Sequence, residues 1–251
     1  MVRGIEAAAK GMVALSEKLD SVVNDLANIS TPAFKRLIQN ISQSENYPIN
    51  RVFLQTDDNR APFMGYLGNG SELSTQALDL SAGGLEHTSA KLDVAISLNN
   101  NAFFQIQTPN GIRYTRAGNF TLNNNDELVT QDGYPVLSSA NAPITIDGQN
   151  VVISSDGSIQ VDCQQTDTLG IVSLDNPSLI VPQGSNLYSY SGQVVNATGF
   201  KILQGYLENS NVNTVKEMAD MIALERAYES GQKAIVIEDN ETGQMLSQFR
   251  I

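Results

Sequence analysis

The stretch Ile5–Ile29, IEAAAKGMVALSEKLDSVVNDLANI, decides how the rest of the chain is read. Ile5, Ala8, Met12, Leu15, Leu19, Val22, Leu26 and Ile29 recur at alternating steps of three and four, the spacing of a heptad seam. Between them stand Glu6, Lys10, Ser16, Glu17, Lys18, Asp20, Ser21 and Asp25, so a helix here is apolar along one narrow stripe and polar elsewhere. An isolated helix of this length is marginal in water, and the stripe therefore needs cover. Periodicity alone leaves two covers open: the globular core of the same chain, or a partner helix. Gly4 and Gly11 lie on one side of the helix, where either close approach of another helix or a softer helix accounts for them. Pro32 removes a donor and disfavours helical geometry at Thr31, so the helix is expected to end near Ser30-Thr31-Pro32.

The other end of the chain answers the first. Thr214 and Glu217 form a capping box for a helix running towards Leu246. Val215, Met218, Met221, Ile222, Ala227, Tyr228 and Ile235 make a wider and less strict stripe on it. From Arg36 to Gly84 the pattern dissolves into Asn, Gln, Ser, Gly and Pro, which reads as linker, loops and a few extended pieces, with Arg51-Val-Phe-Leu-Gln as a candidate edge strand. Leu85 to about Leu207 carries strand chemistry. Asp132-Gly133, Asp147-Gly148 and Asp156-Gly157 are turn dipeptides, and between them lie Val136-Leu137, Ile144-Thr145-Ile146, Val151-Val152-Ile153 and Ile159-Gln160-Val161.

Composition narrows the function classes. The 251 residues hold 27 acids against 15 bases, a net charge of -12, which repels phosphate backbones and anionic lipid and argues against nucleic acid or a membrane surface as partner. One cysteine, Cys163, excludes an internal disulfide or a thiolate cluster, and one histidine, His87, excludes a multi-histidine metal site. His87 reads as a solvated strand or loop residue, and Cys163 as an inert thiol. Asp79, Glu86, Asp93, Asp126, Glu127 and Asp132 could be paired for glycoside cleavage, but in so acidic a chain pairs arise by chance at turns and strand ends. No catalytic residue, cofactor or metal ligand is assigned. No apolar run is long enough to span a membrane. Glu6, Lys10, Glu17 and Lys18 interrupt any apolar centre of a cleavable secretory signal, so a route of export, if there is one, is expected to keep the amino terminus.

Three blocks of the chain resemble one family. Asn24-Asp-Leu-Ala-Asn-Ile-Ser-Thr-Pro-Ala-Phe-Lys35 is similar to the amino-terminal signature of the bacterial flagellar rod and hook proteins, with Leu26, Ala27, Asn28, Thr31, Phe34 and Lys35 matching. Asp25 and Ala33 stand where the family has asparagine and glycine. In the centre, Leu92-Asp-Val-Ala-Ile96, Phe103-Phe104, Gly111, Tyr114-Thr-Arg116, Gly118, Phe120 and Leu128-Val-Thr130 resemble the same family, with Asn99-Asn100-Asn101 in place of its glycines. The last block is Leu207-Glu, Ser210-Asn-Val212, Glu217-Met218, Met221-Ile222, Arg226, Tyr228-Glu229 and Lys233.

The resemblance implies a structural subunit of the basal-body rod that polymerises into an axial drive shaft, transmits torque and encloses the export channel. It implies other rod subunits and the flagellar type III export apparatus as partners, and a periplasmic rod as the location. Leu85-Glu-His-Thr-Ser-Ala-Lys-Leu-Asp-Val-Ala and the acidic run Glu238-Asp-Asn-Glu241 favour the proximal-rod version, while Tyr206 to Val212 looks equally like the distal rod. The expected fold class is α+β: a small β-rich domain flanked by long terminal helices that pair as a coiled coil on assembly. The expected division is a helical segment over 1–35, an irregular segment over 36–84, a β-rich outer domain over 85–207 and a second helical segment over 208–251. The expected assembly interface is Ile5, Met12, Leu15, Leu19, Val22 and Leu26 against Met218, Met221, Ile222 and Tyr228.

Overall fold

A computed structural model describes residues 2–50, 63–162 and 164–248, and the candidate strand at Arg51 and the thiol of Cys163 lie outside them. One helix opens the described chain, α1 (Val2–Ala27), and one closes it, α2 (Thr214–Gln248). Contacts divide the chain into two compact units, one of Met1–Asn24, Gln39–Gln76 and Val215–Ile251, the other of Asp25–Ile38 and Ala77–Thr214.

The helical unit carries strands as well as helices. Its intervening segment holds most of β1 (Leu37–Gln43), β2 (Tyr47–Asn50), β3 (Phe63–Leu67) and most of β4 (Ser71–Leu78), with β1 beside β4 and β2 antiparallel to β3. Gly70, at φ 96°, turns the chain into β4 and lies against the Ala7 carbonyl of α1, where a Cβ would approach to 2.9 Å. Among the described residues, the only fully buried apolar side chains of this unit are Ala14 and Val22, both on α1. That is a thin core for two long helices.

The expected pairing of the terminal helices as a coiled coil is not what the structure shows, and the fold class is corrected on that point. The described chain has two helices and nineteen strands, so the β part is not a small insert. The stripe expected on α2 is not a buried seam: Val215 is 79% exposed, Met218 51% and Ile222 48%. A coiled coil needs an unbroken row of apolar knobs. The residues of α2 that are partly covered instead include Met221, Leu224, Tyr228 and Ile235 together with Gly231, while Glu217 is fully buried. The helices do approach at single points, since a Cβ on Gly231 would meet Met12 Cγ at 3.0 Å and one on Gly4 would strike the Glu238 carboxylate. Nothing lies within 4 Å of a Cβ on Gly11, so only the first of the two α1 glycines meets a neighbour.

In the strand-rich unit the chain runs through β5 (Leu85–His87), β6 (Val94–Ser97), β7 (Ala102–Thr108), β8 (Gly111–Thr115), β9 (Thr121–Leu122), β10 (Leu128–Val129), β11 (Val151–Ile153), β12 (Ser158–Val161), β13 (Gln164–Thr168), β14 (Ile171–Ser173), β15 (Ile180–Pro182), β16 (Tyr188–Tyr190), β17 (Val195–Asn196), β18 (Lys201–Gln204) and β19 (Tyr206–Glu208). A six-stranded sheet, ordered β15-β16-β8-β7-β14-β17, forms the middle, and its edge strands are three and two residues long. Side chains alternate across a strand, so β7 serves two cores at once. Ala102, Phe104 and Ile106 enter a large cluster with Val94, Ile96, Leu128, Ile144 and Ile159, and Phe103 enters a second with Tyr114, Val172, Leu174 and Tyr188. Phe104 meets Phe120 edge-on at 5.2 Å, and Phe103 meets Tyr188 at 5.9 Å.

Turn chemistry sets the register. Asp156-Gly157, with Gly157 at φ 89°, joins β11 to β12, and Gly133, at φ 83°, turns the chain after β10. Asp147-Gly148 is not a hairpin: Ile146 N–H bonds to the Asp126 carbonyl, and a Cβ on Gly148 would press on Val161 and Asp162. Val136, Leu137 and Thr145 pair through single bridges rather than as strands.

Candidate functional site

The residues expected to form an interface fall into two groups. On α1, Val22 is buried, and Ile5, Met12, Leu15, Leu19 and Leu26 are partly covered. On α2, Met221 and Tyr228 are partly covered and Met218 and Ile222 are exposed. The exposed large apolar side chains of α2 are Val215, Met218 and Ile222, at helical spacing near its start, and Val236, Ile237 and Met245 nearer its end, with Glu225, Arg226, Glu229 and Lys233 between the two groups. Val13 and Val23 add exposed apolar surface on α1.

The strongest electrostatic feature was not anticipated from sequence. Glu208, at the end of β19, sends one carboxylate oxygen to Lys35 Nζ at 2.6 Å and the other to Arg116 Nε at 2.8 Å, and all three side chains are 0–1% exposed. Every charged nitrogen and oxygen of the cluster has at least one hydrogen-bond partner, as buried charge requires. Lys35 Nζ also donates to the Ser81 carbonyl at 2.8 Å. Arg116 donates to the carbonyls of Asn99, Ala102 and Ile96 at 2.7, 2.6 and 3.1 Å. Gly83 N–H donates to Glu208 Oε1 at 3.0 Å. Burial lowers the Lys35 pKa, with the neighbouring Arg116 adding to that and Glu208 opposing it. Burial pushes the Glu208 carboxyl up, but Arg116 and Lys35 outweigh it and hold its pKa below the ordinary value. Each partner comes from a different one of the three sequence blocks. A charged residue set among apolar motif positions in every block was the signal that could have revealed it.

The remaining candidates lie apart from this cluster. His87 is exposed on β5 and edge-on to Tyr206 at 4.8 Å. Asp79 pairs with Arg36 at 3.6 Å, Asp93 accepts from Thr88 Oγ1 at 2.5 Å, and Glu127 accepts from Asn123 Nδ2 at 2.7 Å, so these acids serve turns and loop ends. Among the described residues no helix is long and apolar enough to cross a membrane.

Comparison with known proteins places this arrangement. Residues 97–161 match the model of the flagellar hook protein FlgE/F/G D1 domain, and residues 203–247 match that of the flagellar basal body rod FlgEFG protein C-terminal region. The chain is 32% identical to the flagellar basal-body rod protein FlgG of Borreliella burgdorferi, over 97% of each chain. It is 35% identical to FlgG of Buchnera aphidicola subsp. Schizaphis graminum, over 99% of each. It is 31% identical to the rod protein FlgF of Rhizobium meliloti, over 92% of this chain and 90% of that one. The chain belongs to the flagellar rod and hook protein family. Like these relatives, it is a structural subunit of the basal-body rod and not an enzyme. Most of these relatives bear the FlgG name, so the proximal-rod preference read from the sequence has the weaker support.

Proposed function

We propose that this subunit takes a distal-rod position and polymerises through apolar surface on its terminal helices. One observation carries the assembly reading: among the described residues the helical unit fully buries only two apolar side chains, Ala14 and Val22, while α2 leaves Val215, Met218, Ile222, Val236 and Ile237 exposed. Contact with neighbouring copies would supply the burial that the unit lacks on its own. Of the expected interface set, Met218 and Ile222 are the accessible members and serve between subunits; Val22 serves inside the unit. Segments 1–35 and 208–251 are then the assembling ends, 36–84 the connection and 85–207 the outer β domain. Such a subunit extends an axial shaft that transmits torque around an export channel, and it reaches the periplasm through the flagellar type III exporter without losing a signal peptide.

The distal position rests on the FlgG relatives, which match over nearly the full length of both chains. The second reading, a proximal-rod subunit, is favoured by the FlgF relative and by the Leu85–Ala95 and Glu238–Glu241 stretches. Complementation separates them: motility should return in a strain lacking its distal-rod gene, and rescue of only a proximal-rod null would reverse the assignment. Amino-terminal sequencing of protein from purified basal bodies should begin at Met1 or Val2.

A further inference from the structure

Two buried cations share one buried carboxylate at the point where three distant parts of the chain meet. We propose that Glu208 is a latch: arriving on the last strand, it docks the segment Pro32–Arg36 onto the strand-rich unit, and the docking depends on the charge count at that point. The early segment is held by the middle segment, through Asp79 N–H donating to the Arg36 carbonyl at 2.9 Å and Lys35 Nζ donating to the Ser81 carbonyl, and by a set of late residues. Ala33 N–H donates to the Glu208 carbonyl at 2.6 Å, Lys35 Nζ reaches its carboxylate at 2.6 Å, and Arg36 N–H donates to Asn211 Oδ1 at 2.9 Å. Asn186 Nδ2 donates to the Pro32 carbonyl at 2.6 Å. The same late residues hold the middle segment, since Asn211 Nδ2 donates to the Asp79 carbonyl at 2.9 Å and Gly83 packs so tightly under Asn209 that a Cβ there would overlap its carbonyl oxygen.

Lys35 and Glu208 are separated by 173 positions, so Lys35 meets the carboxylate it pairs with only when β19 is in place. Before that, Lys35 would have to be buried beside Arg116 with nothing between them to neutralise either charge. The latch therefore imposes an order: the sheet and Arg116 form, β19 brings Glu208, and Pro32–Arg36 docks last. The charge count also makes the three partners unequal. Without Lys35 a one-to-one pair of Arg116 and Glu208 remains, whereas without the Glu208 charge two cations are stranded in the interior.

Hydrogen–deuterium exchange of the full chain tests this, reading peptides over 33–38 and 79–84 against the core strand β7. Glu208→Gln should speed exchange in both peptides tenfold or more and leave β7 protected. Lys35→Met should change them less than threefold, and the double variant Lys35→Met/Glu208→Gln should exchange more slowly than Glu208→Gln alone, because one stranded cation is gone. Unchanged exchange at 33–38 in Glu208→Gln overturns the latch, and so does a Lys35→Met effect equal to that of Glu208→Gln. Should Glu208→Gln also lose protection in β7, the double variant must regain it; a double variant no better than Glu208→Gln overturns the charge-count argument.

Discussion

Single residues show how tightly the strand-rich unit is specified. Gly118 has an ordinary φ, yet a Cβ on it would overlap the Val94 carbonyl oxygen, backbone that cannot swing aside. Gly118→Ala should therefore cost about 3 kcal/mol, the upper range for overpacking, and lower the midpoint of denaturant unfolding. Gly133→Ala meets open space, and only its φ of 83° is strained, so about 1 kcal/mol is expected there. Glu208 gives the pH dependence. Its folded pKa lies below 4.5, so its contribution is complete above the ordinary carboxyl range and is lost as the pH falls through the folded value. Lys35 runs the other way: its pKa is lowered from 10.5, so the cost of its charge is present below the folded value and is relieved as the pH rises from there towards 10.5. Urea titrations should show stability falling on the acid side, and Glu208→Gln should lower neutral-pH stability by roughly 3–5 kcal/mol and flatten that acid limb. Legibility at this scale was uneven. Ala33 replaces the glycine of the family signature and still takes φ 55°, because its N–H is held by Glu208; that turn is fixed by a residue far along the sequence and invisible locally. The Asn99-Asn100-Asn101 turn forms through Asn99 Oδ1 accepting from Asn101 N–H at 2.9 Å, while the positive φ falls on Leu98.

At the scale of elements, the helices and several strands could be read in advance, but the face that α2 uses could not. The extents of α1 and α2 follow from a heptad stripe ended before Pro32 and from the capping pair at Thr214 and Glu217. The apolar residues of α2 point in more than one direction, and Met221, Leu224 and Tyr228 turn inward while Val215, Met218 and Ile222 do not. Periodicity reports that a face exists, and here two were available. β11 and β12 were legible through Asp156-Gly157, whereas Val136 and Thr145 have strand chemistry but find only single bridges. The two kinds of helix position should separate by mutation. Met218→Asp with Ile222→Asp places charge on exposed surface, so the monomer should keep its circular dichroism and its stability within about 0.5 kcal/mol. Motility of a complemented null strain should nevertheless be lost; normal swimming would count against these residues as contacts. Leu19→Asp, at a partly covered position, should also lower the melting temperature of the purified monomer.

The whole molecule joins two units of unlike strength. The strand-rich unit owns both hydrophobic clusters, and the helical unit fully buries two small or medium apolar side chains among the described residues. Scanning calorimetry of dilute protein should resolve a lower transition for the helical unit and a higher one for the strands. Only the lower transition should rise with protein concentration, because association stabilises only the part that associates. Limited proteolysis should begin within 2–24 and 215–248 while 77–214 survives. The edges of the six-stranded sheet bear on the same question from the opposite side. β15 offers three residues ending in Pro182, which has no N–H to give, and β17 offers two. Exposed strand borders invite indiscriminate strand-to-strand stacking between molecules, and borders this short give it almost no template. Copies crowded together therefore have little chance of annealing through this sheet, and under the proposed assembly through the helices a growing polymer would not spread sideways from its borders.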